Sequence, residues 1–183
     1  MKTRRALHQA LIQLIIERDY DEISVMDIAD VADVGRSTFY AHFTDKDDLL
    51  RSGTTHFRDL LLRDHGAAGR EGDDVQLLSF SRFMTEHLKE QQQLYRALMR
   101  GRAGTIILDR FRQYICEIVR ADLTRKVPHL GRGHSSELIV QFVVGAFMTV
   151  LTWWLDRGAR ETPQEIDKAF RELAMEGLSR LMK

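Results

Sequence analysis

The sequence predicts an all-α chain of about nine helices, and three observations carry that expectation. Only two prolines, Pro128 and Pro163, interrupt 183 residues. Apolar residues recur at i, i+3, i+4 and i+7 in one segment after another, the period of a helix face. No run alternates apolar and polar residues in the manner of a half-buried strand. The 44% apolar and 30% charged shares belong to an ordinary globular chain. The single cysteine, Cys116, excludes an intramolecular disulfide and, with a poorly formed apolar start, predicts a cytoplasmic setting.

Each element has its own signal. Residues 3–19 carry Leu7, Ala10, Leu11, Leu14 and Ile15 on one stripe. Ser24 with Asp27 three residues on reads as a capping box that opens a short helix bearing Val25, Ile28, Ala29 and Ala32. "DVG" breaks it: Asp33 tolerates a turn conformation and Gly35 serves as the next cap. A third helix is expected over 36–43. Thr44, with Asp47 at the third position, is expected to start a fourth that runs to about Arg63. "HGAAGREGDD", 65–74, carries three glycines and reads as a boundary or hinge. Further helices are expected over about 75–89, 91–99, 105–126 and 136–157. Thr162-Pro163-Gln164-Glu165 supplies a cap, a first-turn proline and a capping-box Glu for the last. The expected division is a first domain over 1–48, with its motif at about 24–43, and a second over 49–183.

Two short helices joined by a tight turn form a helix-turn-helix, whose second helix enters the DNA major groove. Formal charge lends no help, since the 27 basic and 27 acidic side chains balance. Residues 1–50 are acidic, with six Lys/Arg against ten Asp/Glu. Local placement decides instead. On a helix starting at Arg36, Phe39 and Phe43 share one face and read as core, while Ser37, Tyr40 and Ala41 fall on another. Arg36 suits bidentate bonds to guanine, Ser37 and Thr38 donate to bases or phosphates, and a Thr or Ala methyl can meet thymine. Tyr40, His42 and Lys46 suit phosphate, and Lys2, Arg4 and Arg5 form a basic start able to reach adjacent phosphates.

"SVMDIADVADVGRSTFYAHFTDKDDLL", 24–50, resembles the TetR family of bacterial transcriptional regulators. The matching positions are Ile28-Ala29, Ala32, Val34, Thr38-Phe39-Tyr40, His42-Phe43, Lys46-Asp47 and Leu49. Asp33 and Gly35 depart from the usual Gly and Ser/Thr of that turn. The resemblance implies phosphate contacts at Tyr40, His42 and Lys46, and a base-facing side of Arg36, Ser37, Thr38 and Ala41. It also implies a C-terminal ligand pocket and dimerisation through the last two helices.

Residues 138–155, "LIVQFVVGAFMTVLTWWL", carry no charge over 18 positions, the lower limit for crossing a bilayer. Burial by protein on all sides explains the same pattern, and no membrane association is expected. One side of this helix packs in its own domain and the other meets a partner chain. The expected dimer face is Leu151, Trp154, Phe170, Leu173, Gly177 and Leu181. Phe80, Phe83, Met84, His87, Met99, Phe111, Tyr114, Phe142 and Phe147 are the expected pocket lining. Their chemistry suggests a largely apolar or aromatic effector. No cofactor, metal site or catalytic residue is expected, because the seven histidines form no metal signature and no nucleophile motif occurs. The expected function is a regulator, most simply a repressor, that binds a near-palindromic operator as a homodimer and is released by a small molecule. The alternative is a DNA-bound adaptor acting through a protein partner.

Overall fold

A computed structural model of the chain describes residues 2–68, 78–99, 101–126 and 136–179. Among these it holds nine α-helices, one 3-10 turn and no strand. The helices are α1 (Lys2–Glu17), α2 (Val25–Val31), α3 (Arg36–Tyr40), α4 (Lys46–Ala68), α5 (Phe80–Glu90), α6 (Gln92–Leu98), α7 (Arg102–Lys126), α8 (Ser136–Asp156) and α9 (Pro163–Ser179). The 3-10 turn, Tyr20–Glu22, lies between α1 and α2. Two compact units form: Met1–Phe57 with Gln91–Arg110, and Arg58–Glu90 with Phe111–Lys183. This grouping departs from a division at residue 48, because the start of α4 and the 91–110 segment pack with the N-terminal helices.

In the first unit α1 buries Leu7, Ala10, Leu11, Leu14 and Ile15, as its periodicity requires, and packs on α2 and α6. The cap of α2 is reciprocal. The Asp27 amide donates to Ser24 Oγ at 3.1 Å, and the Ser24 amide donates to Asp27 Oδ2 at 2.7 Å. The Ser24 hydroxyl also donates to that carboxylate. These bonds, with Arg18 at 3.2 Å, hold the Asp27 carboxyl down at about 2. A depressed carboxyl stabilises the fold above its ordinary value of 3.8, and the contribution disappears as pH falls through the folded value. Ser24→Ala removes the cap and is expected to destabilise the fold at neutral pH. Urea unfolding at pH 7 and pH 3 should show the gap to wild type narrowing in acid; an equal gap at both would contradict the assignment.

After α2 the chain turns at Asp33, whose φ is 53°, and the Val34 amide closes the turn on the Ala29 carbonyl at 3.0 Å. Asp is one of the few residues that adopt this left-handed conformation at little cost. Gly35 caps α3 with its carbonyl, which accepts from Thr38 and Phe39. The third helix is shorter than its periodicity predicts, ending at Tyr40, and Phe43 is reached through a turn bonded back to the Phe39 carbonyl. The start of α4 also differs. Asp45, not Thr44, accepts the first-turn amide of Asp48 at 2.6 Å, and Asp48 reaches back to the Thr44 amide at 3.0 Å. Asp47 is thereby released from capping and turns inward. At its other end α4 continues through His65 to Ala68, and the remainder of the expected 65–74 hinge lies outside the described residues.

In the second unit α9 packs on α5 and α8. Phe80, Phe147 and Phe170 meet ring to ring, with centroids 5.1 Å apart for Phe80–Phe147 and 5.0 Å for Phe147–Phe170. The Trp154 indole is fully buried and donates to the Glu161 carbonyl at 3.2 Å. Gly158, at φ 85°, ends α8, and the Thr162–Glu165 capping box opens α9 behind Pro163 as expected. Polar groups also enter this interior. Ser81 donates to Asp167, whose carboxyl burial pushes up. His65 joins Ser79 at 2.6 Å and Asp122 at 3.2 Å.

Candidate nucleic-acid interface

Phe39 and Phe43 are buried and tilt toward one another at 5.9 Å, as their i, i+4 spacing predicts. They anchor α3 to its unit. Opposite them Arg36, Ser37, Tyr40, Ala41 and His42 are exposed and Thr38 is half-buried. Tyr40 stands 47% exposed. The Arg36 guanidinium lies 5.6 Å from the Tyr40 ring centroid, so the two form one surface one helical turn long. This sorts the aromatics of the segment into anchors and presented groups, and it places donors where a groove-inserted helix needs them.

The N-terminal basic residues join this region through Arg4. Its guanidinium lies 4.6 Å over the Phe43 ring, and His8 meets the same ring edge-on at 5.6 Å. His8 also shares a 3.1 Å hydrogen bond with Ser52, tying α1 to α4. Burial, then the Arg4 charge, lowers the His8 pKa, so this ring is neutral at pH 7. Arg5 is exposed on α1. Nothing in the sequence singles out His8 or Ser52, whose meeting depends on the tertiary packing of α1 on α4.

Lys46 is engaged within the chain. Its ammonium donates to three carbonyls, those of Tyr20 at 2.8 Å, Asp21 at 3.2 Å and Ile23 at 2.8 Å, and it rests 4.6 Å from the Tyr20 ring centroid. An ammonium has three donors, so none is left for a phosphate. Lys46→Gln is expected to lower the melting temperature and to leave the slope of log affinity against log salt unchanged. A slope reduced by about one would return Lys46 to the phosphate contacts.

The apolar residues of the second unit also sort differently from their expected roles. Phe80, Met84, Phe111 and Phe147 are completely or almost completely buried and form packed core. Phe142 is 59% exposed and faces outward. Met99 belongs to the first unit, against Gly104. Phe83 and His87 are half-buried and stack at 5.8 Å, while Tyr114 is buried with the Arg58 guanidinium 5.7 Å from its ring. On the expected dimer face, Leu151, Trp154 and Phe170 are buried within their own chain. Leu173 and Gly177 are exposed, and Leu181 lies outside the described residues. The outward row of α8 is instead Leu138, Phe142 and Trp153, with Gly145 and Thr149 between them. Their spacing of roughly one helical turn was present in the sequence, but a helix apolar all round does not reveal which row packs inside.

A short helix anchored by two phenylalanines, with a basic and hydroxyl-bearing face turned outward after a tight turn, defines a helix-turn-helix DNA-binding protein. Two family profiles match the chain. "Bacterial regulatory proteins, tetR family" covers residues 7–52, and "Transcriptional regulator C-terminal region" covers residues 76–176. The chain belongs to the TetR family and is a DNA-binding transcriptional regulator. Solved structures share its fold. A TetR transcriptional regulator from Streptococcus agalactiae is 26% identical, with 94% of this chain and 93% of that one covered and a TM-score of 0.67. NalD, the secondary repressor of the MexAB-OprM multidrug efflux pump in Pseudomonas aeruginosa, is 19% identical over 96% of each chain, at 0.71. Thermus thermophilus FadR, a repressor in complex with lauroyl-CoA, is 17% identical over 95% and 94%, at 0.69.

Proposed function

We propose that the protein is a homodimeric repressor that holds a near-palindromic operator and lets go when a small molecule binds its second unit. The observation that carries the DNA part is the outward face of α3, where Arg36, Ser37 and Tyr40 stand exposed while Phe39 is buried. Arg36, Ser37, Thr38 and Ala41 meet base edges; Tyr40, His42, Arg4 and Arg5 meet phosphates.

Dimerisation is supported by the exposed apolar row of Leu138, Phe142 and Trp153 on α8, with Leu173 of α9 exposed to 73%. Water-exposed apolar rows of this extent mark interfaces, and two such helix pairs close into a four-helix bundle. By length and composition α8 is able to cross a membrane. Its inward row of Val140, Val144, Phe147 and Leu151 is packed in the chain's own core, and the outward row is assigned to the second copy.

Effector control is supported by the lauroyl-CoA held by the FadR neighbour. Asp122 and His65 add polar groups to the interior of the second unit. Asp122 is buried and its Oδ2 has no partner. Selection of binding sites from a random duplex library tests the reading. Two inverted half-sites bound by two chains are expected; recovery of no preferred sequence would overturn it.

A further inference from the structure

The residues that follow the helix-turn-helix grip the residues that precede it. Lys46 takes the carbonyls of the 20–23 turn, as described. Asp47, only 6% exposed, accepts the Tyr20 hydroxyl on Oδ1 at 2.7 Å and the Arg102 guanidinium on Oδ2. The motif formed by α2 and α3 lies between the two ends of this brace. Its entry and exit therefore cannot separate while the brace holds.

The third member comes from far along the chain. Arg102 is the first residue of α7 and packs in the same compact unit. Its neighbour Gly101 sits so close to the turn that a Cβ there would stand 3.1 Å from Asp21 Oδ2 and 3.3 Å from Asp19 Oδ1. The start of a long helix, electropositive by its peptide dipoles, is thus set beside carboxylates. Both oxygens of the buried Asp47 are occupied, and loss of the guanidinium leaves that carboxylate undercompensated. Relief comes from turning Asp47 toward water, which frees Tyr20 and loosens the first turn of α4 behind α3. Tyr20 is a dependable donor, since burial, and then its bond to Asp47, raise its pKa far above neutrality.

We propose that Arg102 is a positioning residue for DNA binding: from the start of α7 it holds, through Asp47, the geometry in which the helix-turn-helix meets its operator. This rests on α3 reading the operator. It gives the 91–110 segment a direct hold on operator affinity.

The test uses full-length R102Q and R102K with the duplex recovered by selection and with a random-sequence duplex. Arg102 is 65% exposed at its side chain, so both variants should fold, R102K with a melting temperature near wild type and R102Q with one modestly lowered by the uncovered Asp47. R102Q is expected to lose about five- to tenfold in operator affinity, the effect of uncovering one side of a buried carboxylate. Its random-duplex affinity and salt slope should be unchanged, and R102K should stay within about threefold of wild type because a cation remains to cover Asp47. Wild-type operator affinity in R102Q would overturn the proposal. So would an equal loss on both duplexes with a shallower salt slope, which would make Arg102 a direct phosphate contact. So would a loss that merely follows a lowered melting temperature. Arg36→Ala, run alongside, separates the two ideas: if it binds as wild type, the α3 assignment fails independently of Arg102.

Discussion

Phe142→Glu is expected to turn the dimer into a monomer and to lower operator affinity at least about a hundredfold, the loss that follows when two half-sites are no longer bound as one. The side chain is more than half exposed in the single chain, so a charge there meets water and leaves folding intact. In the proposed dimer the same charge would be buried against an apolar partner surface without a counter-ion, which is strongly unfavourable. Sedimentation should show one chain where wild type shows two, with an unchanged melting temperature. Retention of the dimer would mean that the α8 row covers something else. The neighbouring Trp154 offers no such experiment, because it is fully buried and its replacement would disturb the fold itself.

Arg36→Ala is expected to cost about 1–3 kcal/mol for each half-site and to relax preference at one base position in each. The loss has two parts: the base contact goes, and so does the cation resting against the Tyr40 ring. Tyr40→Phe tests the hydroxyl alone. It keeps the ring and removes the hydroxyl, so affinity should fall by a similar factor on every sequence while the preferred sequence stays the same. Gel-shift titrations against single-base variants of the selected site check both. If Tyr40→Phe changed the preferred sequence, the hydroxyl would have to be read as a base contact.

The sequence discloses the first unit more fully than the second for a physical reason. A helix-turn-helix is built from local signals: the Ser24–Asp27 box, the Asp33 turn and the Phe39/Phe43 spacing each act within a few residues, and all appear in the structure where expected. The errors there lie at element ends and in long-range partners. Asp47 resembles a capping residue in the sequence, yet Tyr20 and Arg102 take it, from 27 and 55 positions away. Lys46 resembles a phosphate ligand until the Tyr20–Ile23 carbonyls are brought to it.

In the second unit the difficulty is one of sides. Helix α8 is apolar all round, so period alone cannot separate Phe147, which packs on Phe80 and Phe170, from Phe142, which faces out. Adjacent Trp153 and Trp154 divide in the same way: Trp154 is buried with its indole on the Glu161 carbonyl, and Trp153 is exposed beside Arg157. The polar groups around His65 were equally hidden, since Ser79 and Asp122 are 14 and 57 residues distant from it.

In the proposed complex two copies of α3 read successive turns of one face of the duplex. Hydroxyl-radical footprinting of the full-length protein on its selected site tests this most directly. Two protected half-sites related by a two-fold axis are expected, with centres about 34 Å, or roughly 10 base pairs, apart or a whole number of turns beyond that. Protection should be lost from both when Arg36 is alanine. A single protected block without symmetry, or a footprint unchanged in that variant, would contradict this arrangement.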